Sequence, residues 1–166
     1  FEALESDESY ESVSLSVEKR VDFSDIVDLE DQGGTADAVI VALRKDDTAY
    51  VEVHDLKYGL GVKVKADNNP QILTYGAGVM DELNMLGIEV DHMALVIHQV
   101  RLDMLSEALY TGEEVAAHAF NLKEAVRLCE SQEGKPEDKL TLIPGDKQCR
   151  FCKAKANCPA LAKMTF

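Results

Sequence analysis

No apolar run in these 166 residues approaches the roughly 20 needed to cross a bilayer, no secretory leader opens the sequence, and no internal repeat or low-complexity tract interrupts it. A soluble protein of the cytoplasm is the expectation. Cations are also scarce: 17 lysines and arginines stand against 31 aspartates and glutamates, a net charge of −14. That balance is awkward for a protein that grips a polyanion, because affinity for phosphates comes chiefly from lysine and arginine. The deficit is uneven. Residues 1–37 hold twelve carboxylates and two cations, a net of −10, so most of the surplus is N-terminal. Phe1 to Glu11, with five carboxylates and no cation, reads as a solvated tail or the end of a helix.

What is present is concentrated between Gly33 and Lys57, where GGTADAVIV is followed after a turn by AYVEVHDLK. Ala36 to Leu43 and Thr48 to Asp55 read as two strands of an antiparallel hairpin, with Arg44 to Thr48 as the turn. Alternation places Val51, Val53, Asp55 and Lys57 on one face and Glu52, His54 and Leu56 on the other. Asp37 opens the first strand, so Asp37, Asp55 and Lys57 are expected to meet at one edge of a sheet. Two carboxylates held this way are hard oxygen ligands for Mg2+ or Mn2+, which activate water and polarise a phosphoryl group. A lysine two residues beyond a ligand can orient or deprotonate that water. A second acidic tripeptide ending in lysine, Glu137-Asp138-Lys139, lies in a polar segment that reads as a loop.

The remaining elements follow from punctuation. Leu15 to Val21 reads as a strand and Gly33-Gly34 as a turn. Lys63 and Lys65 alternate onto one face of a short strand, a basic patch for a phosphate backbone or an ordinary solvated edge. Asn69 caps a helix with Pro70 at its first position, running to about Leu86 and stopped by Gly87, with Gln71 and Tyr75 one turn apart. Met93 to Val100 reads as a buried strand. Within it His98 is read as a core histidine, with catalysis as the alternative, and Gln99 or Arg101 as a phosphate contact. Thr111 and Glu114 form a capping box for a long helix to about Glu130.

Gly34 and Asp37, Asp55-Leu56-Lys57, and Gln71 with Tyr75 resemble the G-x-x-D, D/E-x-K and Q-x-x-x-Y elements of the PD-(D/E)xK nuclease superfamily, RecB-type branch. HDLKYGLGVKV with NNPQILTYGAG is most similar to an uncharacterised phage-encoded family of that branch, over about Val17 to Cys158. The resemblance implies an α/β protein with a restriction-endonuclease-like core, a central mixed sheet flanked by helices, and a C-terminal cysteine-rich segment. It implies DNA as the partner, a recombination or replication protein beside it, and the host cytoplasm as the location. Asp37 and Asp55 would be metal ligands with the Leu56 carbonyl completing the shell, Lys57 the catalytic lysine, and Gln71 and Tyr75 the positioning residues. Glu18 is an additional outer ligand or a solvent-facing glutamate. A non-catalytic acidic interaction or nucleic-acid-binding module on a nuclease fold is the alternative.

CRFCKAKANC supplies Cys149, Cys152 and Cys158, a spacing that suggests a metal site more than a disulfide framework. A closed site needs a fourth ligand, available within this chain from Cys129, a histidine such as His118, or a carboxylate. Relatives of the AddB kind hold a [4Fe-4S] cluster with three such cysteines and one preceding the nuclease motifs, and zinc is the alternative here. No cysteine precedes Asp37. The chain also opens on Phe1 without the first helix of the RecB type, which reads as a piece of a longer protein. The expected organisation is a tail over 1–14, a nuclease core over 15–131 and a cysteine-rich staple over 132–166.

Overall fold

The computed structural model describes residues 1–164 of the protein, so the last two residues of the 132–166 segment lie outside the described residues. The chain forms two compact units, Phe1–Val126 and Arg127–Phe166. In the first, a short α1 (Glu2–Glu5) precedes β1 (Ser12–Asp22), a one-turn α2 (Ser24–Val27), β2 (Gly33–Leu43), β3 (Thr48–Leu56), α3 (Pro70–Met85), β4 (Glu89–Gln99), β5 (Met104–Thr111) and the start of α4 (Gly112–Gln132). The five strands form one mixed sheet in chain order. Every neighbouring pair is antiparallel except β3 and β4, which run parallel. A parallel neighbour requires a crossover, and α3 supplies it.

The alternation read from β3 is realised: Val51 and Val53 are fully buried and Asp55 is 5% exposed, whereas Leu56 is 51% exposed. The buried row joins Val39, Met93, Leu95 and Ile97 under Ile72, Leu73, Ala77 and Met80 of α3. The helix begins where Asn69 accepts from the amides of Gln71 and Ile72, with Pro70 first in the turn, and it gives way at Gly87, whose φ is +81°. Two of its glycines let it sit low on the sheet. A Cβ on Gly76 would lie 2.5 Å from Met93 Sδ, and one on Gly78 would lie 2.5 Å from Val21 Cγ1 and 2.7 Å from the Asp22 carbonyl oxygen.

Several expectations are corrected. Gly33-Gly34 is not a turn but the start of β2, paired with Asp22 and Val21, and β1 begins at Ser12, inside the segment read as a tail. Residues 57–69, including Lys63 and Lys65, form a connection without strand pairing. A fifth strand, β5, went unread because its apolar residues divide between the faces: Met104, Ala108 and Tyr110 are half-buried, while Leu105 and Leu109 are about 60% exposed. The Thr111 and Glu114 capping box forms, with both reciprocal backbone contacts, at 2.9 and 3.2 Å.

In the second unit, past the end of α4, a short α5 (Asp146–Cys149) and α6 (Pro159–Met164) bracket the cysteine-rich turns. Among the described residues no helix is long and apolar enough to cross a membrane.

The close seat of α3 makes a stability prediction. Gly78→Val gains a few tenths of a kcal/mol in helix propensity but drives side-chain atoms into the Asp22 backbone, which overpacking places at about 1–3 kcal/mol of lost stability. Urea unfolding followed by circular dichroism is expected to show the midpoint falling, and an unchanged midpoint would show that α3 has room to lift.

Candidate active site

The site grows from the register of β2 on β3. Ala38 pairs with His54, so continuing that ladder by one residue sets Asp37 opposite Asp55, on the face that carries Val39 and Val53. Asp37 is exposed, and its Oδ2 accepts the Leu56 amide at 2.6 Å, which holds the carboxylate against the end of β3. Asp55 is buried beside it. Lys57, one residue past the strand, turns back so that Nζ lies 3.1 Å from Asp55 Oδ1 and 2.9 Å from Oδ2. Its own backbone amide is fixed to the His98 carbonyl at 2.8 Å, tying the lysine to β4.

The first turn of α3 closes the cluster. Gln71 Oε1 accepts from Lys57 Nζ at 2.8 Å, and Gln71 Nε2 points to Asp55 Oδ1 at 3.4 Å and to the Tyr75 hydroxyl at 3.3 Å. Gly34 has a steric reason to be glycine, since a Cβ there would run into the Tyr75 ring. All five side chains singled out in the sequence therefore converge, and the glycine makes room for one of them. Glu18 lies on β1 in the position facing Asp37, between the pairs Val17 with Ala38 and Lys19 with Ala36. It is exposed and carries φ +50°, a left-handed conformation that costs about 1–3 kcal/mol in a non-glycine residue.

One atom is out of balance. Asp55 Oδ2 is buried and accepts no hydrogen bond among the described residues, its one close contact being the ion pair with the Lys57 ammonium at 2.9 Å. An under-satisfied buried carboxylate oxygen beside a second, solvent-facing carboxylate is a donor set that suits a hard divalent cation. Two carboxylates match Mg2+ better than a full protein cage would, because that ion keeps several of its waters. No group of three or more histidine, cysteine, aspartate or glutamate side chains suited to a metal occurs among the described residues.

Gln99, expected at a phosphate, is instead committed to the protein. It is 2% exposed, accepts the Val64 amide at 2.7 Å and donates to the Val62 carbonyl at 3.0 Å, acting as a surrogate strand partner for the connection after β3. Ser106 Oγ and Tyr110 Oη of β5 accept the Ala66 and Asn68 amides farther along. Arg101 lies over the exposed Tyr58 ring, 5.2 Å from its centroid. His98 belongs to the opposite face of the sheet. There Tyr50 donates to Glu52 at 3.1 Å, Glu52 meets His54 Nε2 at 3.0 Å, and His54 Nδ1 meets His98 Nε2 at 3.0 Å. This four-residue chain was missed in the sequence, where Tyr50, Glu52 and His54 at alternate positions were the available signal. Burial and then the neighbouring His54 lower the His98 pKa, whereas the hydrogen bond from His54 is the main cause that lowers the Glu52 pKa.

In the second unit Cys149 ends α5 and its Sγ accepts the Gly145 amide at 3.3 Å, while the Cys149 carbonyl receives the Cys152 amide and the Cys158 carbonyl receives the Ala162 amide. Cys129, a candidate fourth ligand, is exposed. His118 is engaged with Thr74 Oγ1 at 3.2 Å, and burial lowers its pKa.

A five-stranded mixed sheet with a crossover helix, its strand ends carrying paired aspartates and a lysine beside a glutamine of the helix's first turn, defines an α/β protein with a polar cluster at one sheet edge. The chain belongs to the family described as "Protein of unknown function (DUF2800)", which matches residues 2–166. Among solved structures, the one titled "Crystal structure of SSO0001" is similar at 14% sequence identity and a TM-score of 0.35, covering 89% of this chain. This chain spans 60% of the length of that one.

Gln99 makes a direct prediction. Gln99→Leu leaves the Val64 amide and Val62 carbonyl without partners, for about 2–5 kcal/mol in all. Native-state hydrogen exchange is expected to show the Val64 amide losing protection, and retained protection would mean another group holds that connection.

Proposed function

We propose that this protein is a metal-dependent deoxyribonuclease of the PD-(D/E)xK superfamily, RecB-type branch, hydrolysing DNA phosphodiester bonds in phage DNA processing or recombination. The observation that carries the reading is the under-satisfied buried oxygen of Asp55, set beside Asp37, Lys57 and Gln71 at one sheet edge. Asp37, Asp55 and the Leu56 carbonyl would hold Mg2+ or Mn2+, which when bound acidifies a water and draws charge from the phosphoryl oxygens. The ammonium of Lys57 has three donors, of which Asp55 and Gln71 take two. The third is free to orient the attacking water, whose oxygen forms the new bond to phosphorus as the ester oxygen leaves with a proton. Gln71 and Tyr75 position the lysine.

In the same reading the sheet and its helices are a restriction-endonuclease-like core, and Cys149, Cys152 and Cys158 are ligands of a [4Fe-4S] cluster or of zinc. The protein would act in the host cytoplasm beside a recombination or replication partner. A second reading is favoured by charge alone: the −14 net charge suits a non-catalytic module that binds a basic partner.

Incubating the protein with circular and linear DNA, with Mn2+ and with chelator, separates these. The nuclease reading expects cleavage that chelator abolishes, and a fall of about 10²–10⁴-fold in Lys57→Ala with Mn2+ binding largely kept. Cleavage by Lys57→Ala at the parent rate, or none by the parent, would sink it.

A further inference from the structure

A nuclease must hold a polyanion, and the first compact unit is poorly made for that. It carries 26 carboxylates and nine lysine or arginine side chains, whereas the second unit carries five and eight. A domain so acidic repels a nucleic-acid strand over a Debye length of about 8–10 Å, beyond what one active-site lysine offsets. The cations that bring a strand to this protein must be found elsewhere in the chain.

They are gathered near its end. Residues 149–164 contain Arg150, Lys153, Lys155 and Lys163 and no carboxylate, and all four cations are exposed. The backbone there folds into consecutive tight turns, the Cys152 amide bonding to the Cys149 carbonyl at 3.4 Å and the Lys155 amide to the Cys152 carbonyl at 3.2 Å. Arg150, Phe151, Lys153 and Lys155, within six residues of these turns, are all exposed. Phe151 is the most exposed large apolar side chain described, at 83%, and the Arg150 guanidinium stands 5.2 Å from its ring centroid. An open aromatic ring among cations has one common chemical use: the ring takes the face of an unstacked base while the cations take the flanking phosphates. An acidic peptide would satisfy the cations and leave the ring in water.

We propose that the Arg150–Lys155 turn is a gripping surface for single-stranded DNA, with a base stacked on Phe151 and phosphates held by Arg150, Lys153 and Lys155. The choice of DNA rests on the nuclease reading; the surface itself rests on charge and exposure within the second unit.

Binding is measured by fluorescence anisotropy with the full chain and a labelled oligothymidylate, in chelator so that no cleavage occurs. Phe151→Ala is expected to weaken affinity about tenfold, the scale of one stacked base. The combined Arg150→Ala, Lys153→Ala and Lys155→Ala variant is expected to flatten the dependence of log affinity on log salt by about two, near 0.7 for each lost phosphate contact. Lys45→Ala, an exposed cation of the first unit, is expected to bind as the parent does. Because the altered side chains are exposed, circular dichroism should be unchanged. Parent-like affinity and salt slope in both turn variants would overturn the proposal, as would an equal loss on blunt duplex, where no base is free to stack. Cleavage with Mn2+ is read separately, so a protein that cleaves nothing yet loses binding in these variants leaves this surface standing while the nuclease reading falls.

Discussion

The site depends on a buried carboxylate. Asp55 is placed inside by strand alternation, on the same row as Val51 and Val53, where an ionised group has lost most of its water. Such a charge is tolerated only with a countercharge and hydrogen bonds close by, the penalty otherwise being several kcal/mol. The protein supplies Lys57 from the same strand end and Gln71 from the first turn of the crossover helix. Both partners require the parallel pairing of β3 and β4: it fixes the Lys57 amide on the His98 carbonyl, and it requires a helix to return over this face. Remove that pairing and the carboxylate, the ammonium and the amide have no reason to meet.

Local signals carried the sequence reading where a residue acts on its own neighbourhood. Alternation in Val51 to Asp55 gave the buried face, Asn69 with Pro70 gave the start of α3, and Thr111 with Glu114 gave the start of α4, because each is set by atoms within a turn or a strand. The reading failed where the reason lies across the fold. Gly33 and Gly34 look like a turn until β1 is seen beside them and Tyr75 above Gly34. β5 has no apolar period because one face packs on the connection after β3 and the other is open. Gln99 looks like a ligand residue in the string VIHQV, and only the Val62 and Val64 backbone groups, 35 or more residues earlier, explain why a glutamine is buried there.

Charge distribution separates two regions that composition blends. The first unit concentrates carboxylates, 26 against nine lysines and arginines, and the second carries eight lysines and arginines against five carboxylates. The net figure of −14 is the sum of two regions of opposite sign and describes neither.

The face of the sheet away from α3 bears on the site through its hydrogen-bond direction. Glu52 is an acceptor, so the Tyr50 hydroxyl and His54 Nε2 must both donate to it. With its proton on Nε2, neutral His54 offers a lone pair at Nδ1, and His98 Nε2 must then donate across the 3.0 Å that separates them. Burial, which holds the His98 pKa below its usual value, favours this neutral arrangement over one with two facing cations. With both rings neutral the chain sets one tautomer for each, and it bonds β3 to β4 side chain to side chain, at the level where the His98 carbonyl holds Lys57 on the other strand. The lysine that closes the polar cluster on one face is therefore seated by a strand whose register is secured from the other.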